Sequence, residues 1–89
     1  MQVNTCIRDL LAARGVSPRR VSAGLGRSSE YVRNVAQPTR SPALATVADV
    51  ADVLGYRLDV VDVATGEAVG TIEPPRRAGT EDQGSAARR

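Results

Sequence analysis

The sequence predicts a mainly α protein, four to five short helices followed by a C-terminal β-hairpin, and three observations carry that expectation. Apolar residues recur at helical spacing in four sets: Val3, Ile7, Leu10 and Leu11; Val21 and Leu25; Val32 and Val35; Leu44, Val47, Val50, Ala51 and Leu54. Stop and start signals divide those sets, with Gly15 before Ser17-Pro18, Gly26 before Ser28, and Gly55 after Leu54. From Tyr56 the period shortens toward two, as YRLDVVDV and EAVGTI flank the turn-forming ATG.

The first helix is expected from about Val3 to Ala13, its apolar stripe turned to the core and Gly15 ending it. Ser17-Pro18 opens the second helix as a capping residue followed by proline at the first helical position, so Arg19 and Arg20 fall in its first turn. Gly24 costs that helix about 1 kcal/mol relative to Ala, which a close helix crossing would explain. Gly26 stands where the chain must turn at positive φ. Ser28 is the expected cap of a third helix over Ser29 to about Gln37, and Ser41-Pro42 repeats the cap-plus-proline signature for a fourth. Asp49 and Asp52 should point outward from that fourth helix, as solvated acids or as part of a partner surface.

An isolated two-stranded hairpin is marginal in water, and this one carries apolar residues on both faces. Because a helical core covers only one face, Leu58, Val60, Val61, Val63, Val69 and Ile72 are the candidate residues for pairing with a second copy. The alternative is a hairpin folded wholly onto its own domain. The expected organisation is therefore a helical domain over residues 1–55, a hairpin over 56–73 and a disordered tail over 74–89, RRAGTEDQGSAARR after Pro74-Pro75.

Composition narrows the function. Eighty-nine residues suffice for one small domain. With no Phe or Trp and two Tyr, the core must come from Leu, Val, Ile and Ala. No His occurs, which removes the commonest general base and the commonest metal ligand. With no nucleophile motif or phosphate loop either, we expect no enzyme, no cofactor and no metal site. Cys6 is alone, so no internal disulfide is expected and a buried filler is favoured over a reactive thiol. No signal peptide and no membrane-spanning run is read, and the expected location is the cytoplasm.

Net charge is +2, but its distribution is uneven. Residues 1–40 carry seven Arg against Asp9 and Glu30, giving +5; residues 41–75 carry Arg57 against six acids, giving −5. A basic half suits phosphates and an acidic half suits another surface. All twelve basic residues are Arg, whose planar fork matches phosphate oxygens.

The stretch PRRVSAGLGRSSEYVRNVA, Pro18 to Ala36, resembles the helix-turn-helix of the lambda-repressor-like (XRE or Cro-type) family, which includes HipB-type antitoxins. Ser22, Gly26, Val32 and Val35 stand at that motif's spacing, and the likeness extends over roughly Ile7 to Leu58, closing on LGYRL. Three positions depart: Pro18 replaces the common Gln, Ser22 the usual Ala, and Pro38 stands where Gly often follows. The resemblance implies a recognition helix that enters the major groove. Its base readers would be Ser29, Glu30, Arg33 and Asn34, where Arg forks onto guanine, Asn pairs with adenine and Glu accepts from cytosine. Glu30 has a second reading, since an acid in a first helical turn is favoured by the macrodipole alone. Arg19, Arg20, Ser28, Tyr31 and Arg40 would meet phosphates, with Arg19 and Arg20 equally readable as solvated charges and Tyr31 as a cover for the core edge.

The function so implied is a homodimeric regulator of transcription, a repressor or autorepressor on an inverted-repeat operator, in the setting of a phage or other mobile element. The alternative is an antitoxin that binds its toxin protein and regulates its own operon. Expected partners are double-stranded DNA, a second copy and, in the alternative, a toxin, with no membrane.

Overall fold

Residues 1–75 are described by the computed structural model. A 3-10 turn over Val3–Thr5 leads into α1 (Cys6–Arg14), followed by α2 (Pro18–Gly24), α3 (Tyr31–Val35) and α4 (Leu44–Val53). Two strands, β1 (Leu58–Val61) and β2 (Ala68–Ile72), then form an antiparallel hairpin in which Leu58 faces Ile72. The architecture is thus four helices and a two-stranded hairpin.

The glycine stops behave as the sequence predicts. Gly15, Gly26 and Gly55 have φ of 66°, 70° and 86°, a left-handed backbone that L side chains rarely adopt. Each brings two amides back onto the end of its helix. The Gly15 and Val16 N–H groups reach Ala12 O and Leu11 O; those of Gly26 and Arg27 reach Ala23 O and Ser22 O; those of Gly55 and Tyr56 reach Asp52 O and Ala51 O.

Two of the three predicted helix caps are corrected. Ser17 does cap α2, its Oγ accepting from the Arg20 N–H at 3.2 Å. Ser28 does not cap α3, which begins three residues later with Glu30 at its cap position and no side-chain cap. Ser41-Pro42 likewise does not open α4, which starts at Leu44 after Ala43; the Ser41 hydroxyl instead donates to Asn4 Oδ1 at 3.5 Å.

The core joins Ile7 and Leu11 of α1, Val21 of α2, Val32 of α3, and Val47, Val50 and Leu54 at α4, with Ala36 and Cys6 beside them. Val3 and Leu44, expected to face inward, are 54% and 58% exposed. Val3 lies in the 3-10 turn, where three residues per turn put it out of phase with the α-helical stripe. Leu44 sits in the first turn of α4, a turn before the helix meets the core at Val47. Asp49 and Asp52, expected outward, are half-buried. The hairpin is the reason for Asp52, which lines one cleft with Ala48 of α4 and with Leu58, Thr71 and Ile72.

Tyr56 and Leu58 pack against the helical core, so part of the hairpin closes on its own domain. Arg14 locks that junction: its Nε donates to Leu54 O at 2.9 Å and its guanidinium lies over the Tyr56 ring at 4.2 Å. Pro74, the first residue of the expected tail, is buried, and residues 76–89 of that expected tail lie outside the described residues. No helix among the described residues is long and apolar enough to cross a membrane.

Candidate nucleic-acid interface

The pairing of α2 with α3 starts from one hydroxyl. Ser22 is fully buried; its Oγ donates to Pro18 O at 2.9 Å and accepts the Val32 N–H at 3.0 Å. The Val32 amide, near the start of α3, thus finds its partner on α2. Val21 and Val32, both nearly inaccessible, pack beneath that bond.

This arrangement leaves Ser29, Glu30, Arg33 and Asn34 exposed together at and along α3. Glu30 and Arg33 form an i,i+3 ion pair at 3.5 Å with both side chains more than half exposed. Such pairs add little stability and exchange readily for other partners. Tyr31 is half-buried against the core, its ring beneath the Arg27 guanidinium at 4.6 Å, which fits the edge-covering reading. The i,i+4 rule, which holds within a helix, does not mark this contact in the sequence, because Arg27 lies in the turn before α3.

The remaining predicted phosphate residues divide. Arg19, Ser28 and Arg40 are exposed. Arg20, though exposed, lines a cleft with Arg14, Val53 and Leu54, whereas Pro18 lines a different one with Arg33. Arg40 ends a turn in which its N–H reaches Gln37 O at 3.0 Å. That turn is tied to the start of the chain by the Asn4 Nδ2–H, which donates to Pro38 O at 3.1 Å.

The chain matches no protein-family model, no curated protein and no solved structure.

A cleft of roughly 430 Å³ runs between α1, the start of α2 and the end of α3, lined by Arg8, Leu11, Pro18, Arg33, Ala36, Gln37 and Pro38. In the sequence α1 reads only as core support, which leaves Arg8 unmarked, and Gln37 reads only as the end of the third helix. Among the described residues no cluster of His, Cys, Asp or Glu could hold a metal ion. Burial pushes the Cys6 thiol up from its ordinary value, which keeps it protonated and unreactive.

Of the candidate pairing residues, Val60, Val61, Val63 and Val69 are 51%, 48%, 98% and 74% exposed. Leu58 and Ile72 are half-buried and line an apolar groove with Met1, Val3, Leu44 and Val47. On the opposite hairpin face Asp59 accepts the Thr71 hydroxyl at 2.7 Å and the Arg57 Nε–H at 3.0 Å. The Thr71 bond first, then Arg57, holds that carboxyl below the usual range.

Proposed function

We propose that this chain is a sequence-specific DNA-binding regulator of the lambda-repressor-like, helix-turn-helix kind. It acts as a homodimer that represses, its own gene included, by occupying an inverted-repeat operator. The observation that carries the reading is the Ser22-pinned α3, with Ser29, Glu30, Arg33 and Asn34 exposed at and along it and Arg19 and Arg40 exposed on neighbouring segments.

In this reading α3 enters the major groove and its polar side chains meet base edges. Arginines on the flanking turns meet phosphates, supply most of the affinity and make it salt-dependent. A two-fold axis sets the second α3 about 34 Å away, one turn of DNA along the same face.

The antitoxin reading stands second, and one observation favours it. The exposed valines of the hairpin and the apolar groove beside them suit a protein partner as well as a twin.

The test is a mobility shift with footprinting on DNA immediately upstream of the gene, against a random duplex of equal length. A protected inverted repeat is expected. Arg33→Ala or Asn34→Ala should weaken the specific site by about tenfold more than the random duplex, whereas Arg40→Ala should weaken both. Equal losses on both DNAs would remove Arg33 or Asn34 from the base readers. A folded protein with no specific binding would shift the reading to the toxin partner.

A further inference from the structure

We infer that Arg8, on α1, is a phosphate-anchoring residue, and that the cleft it shares with Arg33 and Gln37 takes a backbone phosphate of duplex DNA. The inference rests on the DNA-binding reading and deepens it by bringing α1 onto the interface.

The cleft has two guanidinium groups and one carboxamide on its walls and no acid. Leu11 and Ala36, both buried, give it an apolar floor, and beside low-dielectric surface a charge interaction is stronger than in water. Arg8 is exposed and makes no hydrogen bond or ion pair with another described residue. Its chain neighbour Asp9 is engaged elsewhere, accepting the Thr5 hydroxyl at 3.1 Å. Arg33, at the rim of the cleft, is held only by its exposed pair with Glu30, which leaves it able to turn to a base edge. Arg8, with the Gln37 carboxamide on the same cleft and no acid on its walls, is complementary to a phosphate that accepts two hydrogen bonds, which leaves Arg33 to the base edge.

Position identifies the anion as DNA backbone. The cleft borrows Arg33 from α3 and Pro18 from the start of α2, and it is closed by Pro38, in the turn that ends at Arg40. Asn4, one helical turn before Arg8, bonds Pro38 O and holds α1 against that turn. The cleft therefore adjoins both α3 and the turn that carries Arg40.

The test needs no known operator. Binding of a fluorescent random-sequence duplex is followed by anisotropy across a salt series for the full chain and for Arg8→Ala, Arg8→Lys and Arg57→Ala. Arg57 is the control, an exposed arginine on the hairpin side. Arg8→Ala should weaken binding at low salt by about tenfold and reduce the salt slope by about 0.9, one phosphate contact. Arg8→Lys, which keeps the charge, should retain the slope, and Arg57→Ala should leave it unchanged. If the unaltered chain binds and Arg8→Ala behaves like Arg57→Ala, the assignment of Arg8 is overturned while the DNA reading stands. If the unaltered chain binds no duplex at any salt, the DNA reading falls, and Arg8 with it.

Discussion

At the residue scale, Ser22 is fully buried in mid-helix, and its hydroxyl reaches both Pro18 O and the Val32 N–H. Replacing it with Ala removes the acceptor but leaves the amide, buried beneath α2. A buried donor without a partner costs about 1–3 kcal/mol. In a domain of this size each kcal/mol lowers the melting temperature by about 4–8 °C. Ser22→Ala should therefore melt several degrees earlier by circular dichroism, and an unchanged midpoint would show that the Val32 amide finds water instead. The sequence marked Ser22 as a small packing residue. It could not show the bond, because the partner lies ten residues away across a turn.

Among elements, the crossing of α2 over α4 accounts for Gly24. A Cβ built there would stand 3.1 Å from Val53 Cγ1, tighter than ordinary contact. Two effects compete when Gly24, the last residue of α2, becomes Ala: helix propensity gains less than the about 1 kcal/mol of an interior position, and the contact with Val53 takes some of it back. Gly24→Ala should then be near neutral or slightly destabilising in the natural chain and stabilising by a few tenths of a kcal/mol, at most about 1, in a Val53→Ala background. Urea unfolding of the four-member cycle measures this, and additive effects would clear Val53 of the role. The close crossing was legible from a glycine inside a helical pattern, but its partner was not. Helix ends were also more legible than helix starts. A C-terminal glycine answers a demand on its own φ, whereas the first amides of a helix accept any acceptor that packing supplies, as α3 accepts Ser22.

For the whole molecule, the open question is what meets the exposed hairpin. Leu58 packs against its own core, so it is a poor probe, and an acid there would unfold the domain. Val61 and Val63 are exposed and carry no such cost. Val61→Asp or Val63→Asp should convert a dimer into folded monomers by sedimentation velocity. A dimer that persists in both would move the interface off this part of the hairpin. Loss of the dimer should also lower affinity for an inverted repeat more than for a half-site, since the two recognition helices would no longer bind as one unit.

Apolar spacing, glycine stops and the change of period at Tyr56 are local properties, each expressed within a few residues, and they were enough to foretell four to five helices and a hairpin, of which the structure has four helices and the hairpin. The candidate recognition residues were legible for the same reason, since Val32 and Val35 turned inward leave the other faces of a short helix outside. The Arg8–Arg33 cleft, the Ser22 bridge and the Asn4–Pro38 tie join residues far apart in the chain. Helix crossing angles and the path of the turns place those partners together, and such angles follow from how whole apolar faces pack against each other, which no short window of sequence contains.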